Sequence, residues 1–118
     1  MSARDVLITG IGLVSSLCEG AERHWQLFSS GAEPVVDSER FPPYSIHPLP
    51  EIDWSQQIAK RGDQRQMETW QRLGTYAAGL ALDDAGAKED EALCGEMDMI
   101  VAAGGGERDV AVDSSIMT

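Results

Sequence analysis

Few residues in this 118-residue chain have the chemistry to act on another molecule, and they are scattered: Cys18 and Cys94, His24 and His47, and a run of cations formed by Lys60, Arg61 and Arg65, with Arg72 two turns further on. A nucleophilic thiolate needs a positive local field, and Cys94 is flanked instead by Asp90, Glu91 and Glu96, whose charges oppose its ionisation. The two histidines stand apart, no C-x-x-C is present, and no ligand-like spacing points to a metal. Two isolated thiols in an acidic chain with the composition of a cytosolic protein are expected to be free. The cationic run is read most simply as a solvated face. It is also the only basic cluster in the sequence, so an acidic partner would be steered to it.

The glycines invite a phosphate reading that their neighbours do not support. Gly10, Ile11 and Gly12 open the G-x-G-x-x-G pattern, but Ser15 stands at the third glycine and no acid closes a following strand to hold a ribose. Gly104, Gly105 and Gly106 meet Glu107 where a P-loop needs lysine followed by serine or threonine. A nucleotide-binding α/β enzyme is retained only as an alternative.

The elements that must carry these residues follow from periodicity. Residues 6–18, VLITGIGLVSSLC, begin with an apolar run lacking polar alternation, as in a strand buried on both faces of a parallel sheet, then break at glycine and serine into a helix near Glu19 to Ala21. Ala21, Trp25 and Phe28, with Leu17 a turn earlier, form one apolar helical face expected to pack on the sheet, and Gly31 stops the helix. His24 on that helix is read as a surface residue. Residues 32–58 hold all five prolines and no period, which predicts an irregular, Pro-rich connection carrying apolar side chains that need burial.

A second helix is predicted over about residues 63–85, capped by Asp63 with Gln66 and carrying Met67, Trp70, Leu73, Ala77, Leu80 and Ala81 on one face. Its small residues, Gly74, Ala77, Ala78, Gly79 and Ala81, predict close approach to a strand or another helix, and Gly86 ends it. The acidic stretch after it reads as a surface turn with room for one helical turn. Residues 97–103 read as a second buried strand, and 107–118 as a short mixed tail.

Length bounds the chain to one small domain at most. A net charge of −11, from 20 acids against 9 bases, disfavours nucleic acid and anionic membranes as partners. No apolar run is long enough for membrane insertion, and the opening residues MSARD lack a signal-peptide layout, so the expected location is cytoplasmic.

Taken in order, V-x-I-T-G-I-G-x-V-S-x-L, a helix bearing Trp25 and closed by Gly31, the string Arg65, Gln66, Met67, Glu68, the helix end Ala81 to Gly86, and the strand into Gly104 resemble the N-terminal portion of the β-ketoacyl-[acyl carrier protein] synthase family. The resemblance spans about residues 4–106. It implies an α/β fold, an incomplete N-terminal part of a thiolase-like layered α/β/α unit, with residues 1–118 holding about the first two strands of the synthase's N-terminal domain. It implies an acyltransferase that condenses an acyl thioester with malonyl carrier protein in fatty-acid or lipid synthesis, without a cofactor, as a homodimer. By the same resemblance Lys60, Arg61 and Arg65 match the docking stretch for acyl carrier protein, although Gly62 and Gln66 stand where relatives often carry more positive charge. Cys18 replaces a family glycine and is not the nucleophile; the catalytic cysteine and histidines are expected beyond this chain, so no catalytic residue is assigned and the chain alone is expected to be inactive. A non-catalytic carrier-protein docking module is the other alternative.

Overall fold

In the computed structural model, residues 4–104 and 115 are described. Their elements, in order, are α1 (Ala21–Ser29), β1 (Asp37–Phe41), β2 (Tyr44–Ile46), a 3-10 turn (Trp54–Gln56), α2 (Arg61–Gln66), α3 (Thr69–Asp84) and α4 (Glu91–Glu96). The mixture of helix with a small sheet gives the chain the α/β character its sequence predicts.

The helix predicted over 63–85 is two helices. Met67 is extended, with φ −96° and ψ 141°, and α3 starts afresh beyond it. The capping box lies at Glu68 and Gln71 rather than at Asp63 and Gln66: the Glu68 side chain accepts the Gln71 N–H, and the Glu68 N–H donates to Gln71 Oε1 at 2.8 Å. These reciprocal bonds satisfy two donors that a helix start otherwise leaves free. At the other end Gly86 takes φ +69°, letting Gly86 and Ala87 donate back to Asp83 and Leu82 at 3.0 and 2.9 Å and close the helix as a Schellman turn. Gly31 ends α1 in the same way.

The small residues of α3 do what their sizes predict. Gly10 and Gly12 lie on its backbone, where a Cβ on Gly10 would crowd Ala81 and Ala85 and one on Gly12 would overlap Ala77 and Ala81. Asp84 Oδ2 accepts the N–H of Ile11, between them, at 2.9 Å. On another side of α3, Gly79 faces the side chain of Gln57. Within this framework Tyr76 is fully buried, joined in the core by Ile58 and Ala87.

The sheet differs from the predicted parallel pair. The hydrogen-bonded strands are β1 and β2, an antiparallel hairpin matching Asp37 with Ile46 and Phe41 with Tyr44, inside the stretch read as irregular. Its entry is set by Asp37, whose Oδ1 accepts the N–H groups of Glu39 and Arg40 at 2.9 and 3.1 Å; these bonds hold the carboxyl below its usual range. Residues 6–8 and 97–103 are not assigned as paired strands, and Val6, Ile8 and Ile100 are 93%, 85% and 96% exposed. A strand that is apolar on both faces is stable only between neighbours, and among the described residues none flanks these.

For the same reason the apolar face of α1 is open, with Trp25 and Phe28 exposed, while His24 is buried at 2% exposure. The reading of His24 as a surface residue is therefore corrected. The accessible surface of 9599 Å² far exceeds the roughly 6,300 Å² typical of a closed fold of this mass. The radius of gyration of 17.7 Å likewise exceeds the ~13 Å of a compact domain.

Candidate functional site

The cationic run sits at the break between α2 and the segment before it. Lys60 is the N-cap of α2, and Arg61 and Arg65 follow one turn apart on the helix, so the spacing i, i+4 puts both on one side. All three are exposed. Arg65 Nε donates to the Arg61 carbonyl at 3.4 Å. The two ion pairs among the described residues, Arg40 with Asp37 and Lys88 with Asp83, leave these three cations out. Gln64, between them, donates to the carbonyl of buried Ile58 at 2.6 Å and ties α2 to the core.

Arg72 does not join this surface. It is half-buried; Nη1 donates to the carbonyls of Gln64 and Met67 at 3.0 and 2.7 Å, and Nη2 to Thr69 Oγ1 at 3.0 Å. Its guanidinium lies over the Trp54 ring, 5.7 Å from the centroid. Sequence alone groups it with its neighbours in charge; the fold turns it inward.

Trp54 meets Tyr76 edge to face at 5.7 Å. The Tyr76 hydroxyl lies 2.5 Å from Glu19 Oε1 and 2.9 Å from the side-chain amide of Gln56. A phenol has one proton to give, so donation to the carboxylate leaves its oxygen to accept from the Gln56 amide group. Burial first, then the adjacent carboxylate, raises the Tyr76 pKa well above its ordinary value. The periodicity did not single out Tyr76, although it stands one turn before Leu80 on the predicted apolar face.

Among the described residues, Ser15 and His24 form a pair resembling a nucleophile and its base. Nδ1 lies 2.6 Å from the Gly20 carbonyl, which can only accept, so the proton resides there and Nε2 accepts from Ser15 Oγ at 2.7 Å. Ser15 Oγ in turn accepts the Leu17 N–H at 3.2 Å, and Cys18 Sγ is 3.4 Å from Nδ1. The imidazole is sealed from solvent at 2% exposure, so a leaving group cannot reach it to collect a proton. The pair ties the turn at 13–20 to α1. Cys18 and Cys94 are both free thiols, and Cys94 donates to the Ala87 carbonyl at 3.2 Å.

Gly10 and Gly12, pressed on α3, have no open loop in which to receive a pyrophosphate, and their glycines serve close packing. The part of the triple glycine beyond Gly104, with Glu107 and, apart from Ser115, the 107–118 tail, lies outside the described residues. An open apolar groove runs between α3, at Leu73 and Ala77, and the extended residues Met99, Ile100 and Val101. Among the described residues no helix is long and apolar enough to cross a membrane.

Along nearly its whole length the chain resembles the β-ketoacyl-[acyl carrier protein] synthases, as its motifs predict. It is 26% identical over 115 residues to 3-oxoacyl-[acyl-carrier-protein] synthase 2 of Vibrio harveyi, covering 93% of this chain and 28% of that protein. It is likewise 26% identical over 109 residues to the enzyme of the same name from Vibrio cholerae, covering 88% of this chain and 26% of the relative. The chain thus spans about a quarter of the length of the curated relatives it matches. No family model matches it, and no solved structure does.

Proposed function

We propose that this chain is the front portion of a β-ketoacyl-[acyl carrier protein] synthase and presents Lys60, Arg61 and Arg65 to an acidic carrier protein. The reading is carried by the similarity to two synthases whose names specify an acyl carrier protein, across about nine-tenths of the chain. The exposed cations of α2, set in a protein of net charge −11, support it, because an acidic partner is repelled by most of this surface and attracted to that end. In the whole enzyme, residues 6–8 and 97–103 become inner strands of a thiolase-like layered α/β/α unit that pairs as a homodimer in the cytoplasm. The enzyme joins an acyl thioester to malonyl carrier protein, with a cysteine nucleophile and two histidines supplied from outside this chain. Purified alone, the 118 residues have no condensing activity; detectable ketoacyl product would refute this.

The docking reading is tested by titrating the isotopically labelled chain with holo acyl carrier protein and following amide shifts. Expected are shifts at residues 60–66, with affinity falling about tenfold or more as salt rises from low to physiological strength, and loss of binding in an Arg61→Glu, Arg65→Glu double variant. Binding that ignores salt and that variant would overturn it. Salt-sensitive binding by a chain that never assembles into an active enzyme would instead favour the non-catalytic docking module, for which the exposed cations alone suffice.

A further inference from the structure

Arg72 stands apart from the other cations near α2. Its guanidinium is committed to the protein's own backbone, at Gln64 and Met67, to Thr69 Oγ1 and to the Trp54 face. Its Nε is buried and without a partner, and no acid pairs with it in the ion pairs among the described residues. A cation spent in this way offers nothing to a partner protein.

What it does hold is the end of α2. A helix of six residues is far too short to persist on its own propensity, and the break at Met67 severs it from the cooperative hydrogen-bond ladder of α3. Carbonyls at the end of such a helix are unsatisfied unless something donates to them. The Gln64 carbonyl takes the Met67 N–H at 3.3 Å, and Arg72, on the first turns of α3, reaches back across the break to give it a second donor and to give the Met67 carbonyl one. The planar fork of guanidinium can meet two carbonyls and a hydroxyl at once while stacking on an indole, which an ammonium cannot do. Trp54 is in turn braced by Tyr76, and Tyr76 by Glu19, so the brace runs from the turn after the glycine motif to the end of α2.

We infer that Arg72 is a positioning residue: it fixes the orientation of α2, and so of the Lys60, Arg61 and Arg65 side chains, without itself contacting the docked partner. The consequence for docking rests on the carrier-protein reading above; the clamping of α2 does not.

The test is hydrogen–deuterium exchange on the 118-residue chain, paired with binding of holo acyl carrier protein. In Arg72→Lys, which keeps the charge, amides around Gln64 to Met67 are expected to exchange about tenfold or more faster while those of the second half of α3 keep their protection. Carrier-protein affinity falls as well, but its dependence on salt stays as steep as in the parent. Arg61→Glu is expected to behave oppositely, flattening the salt dependence with α2 exchange unchanged. Unchanged α2 exchange in Arg72→Lys would overturn the inference whether or not carrier protein binds. A flattened salt dependence in Arg72→Gln, equal to that of Arg61→Glu, would overturn it too, since Arg72 would then be a docking charge. If Arg72→Lys unfolds the chain, Thr69→Val, which removes the hydroxyl acceptor alone, must give a smaller acceleration confined to α2, and none would count against the clamp. Failure of the parent chain to bind carrier protein at any salt, with the exchange result intact, would remove the docking reading and leave the clamp standing.

Discussion

Gly12 rests against the backbone of α3 at Ala77 so closely that a single added methyl group would overlap the Ala77 carbonyl. The neighbours in conflict are main-chain atoms, which cannot swing aside as a flexible side chain would. Gly12→Ala should therefore destabilise the chain by about 1–3 kcal/mol or more, the usual range for overpacking. Gly74, in the middle of the same helix, has open space around its Cβ position, so Gly74→Ala should stabilise by about 1 kcal/mol through helix propensity alone. Urea unfolding of the two variants checks the opposite signs.

Tyr76 should resist ionisation. Its pKa is raised, so the folded state favours the protonated phenol; that stability is complete below the ordinary tyrosine value of 10.0 and is lost as pH climbs towards the higher folded one. An alkaline absorbance titration should show a late tyrosine phase coinciding with loss of helix. Tyr76→Phe should delete that phase and cost about 1–2 kcal/mol, because Glu19 and Gln56 lose their shared partner.

Asp83 gives the opposite pH dependence. Gln57 Nε2 donates to its Oδ2 at 2.7 Å and Lys88 Nζ lies 3.1 Å from the same oxygen, and these bonds lower its pKa from 3.8. A depressed folded value means the contribution is present above the ordinary carboxylate range and disappears as pH falls through the lower one. Thermal midpoints of the parent and Asp83→Asn should differ at neutral pH and converge in acid. Midpoints that diverge further in acid would contradict the sign.

His24 should behave as structure and not as a base. His24→Phe should loosen the turn at 13–20, costing about 1–3 kcal/mol because Ser15 and the Gly20 carbonyl lose buried partners. Ser15 should remain inert towards acylating reagents in the parent protein, since the imidazole beside it cannot relay a proton. Mass spectrometry after exposure to an activated ester reads this directly.

How much of this was legible beforehand depended on the range of the forces involved. The two helix stops at Gly31 and Gly86, the tight approach to Ala77 and Ala81 and the short helix after Gly86 follow from local sterics, and the chain carries them in its own spelling. The break at Met67 was hidden, because Met67 fits a helical apolar stripe, and the Arg72 bonds to the carbonyls of Gln64 and Met67 that accompany the break are contacts the stripe does not show. The inward turn of Arg72 and the burial of His24 were hidden likewise: a charged or titratable side chain shows its type in the sequence but not which way its element faces. Residues 6–8 and 97–103 fail differently. Their composition states a demand for flanking strands, and a demand in the sequence is met only where the partners are present.

Those same residues make protein concentration a variable of state. Bare apolar ribbons such as Val6, Leu7 and Ile8, or Met99, Ile100 and Val101, will zip onto any compatible edge they encounter, including that of another copy. Only the colloidal repulsion of a strongly anionic surface stands against such encounters. Dilute, low-salt solutions should hold the chain as single particles, and adding salt should drive it towards light-scattering assemblies well before it unfolds.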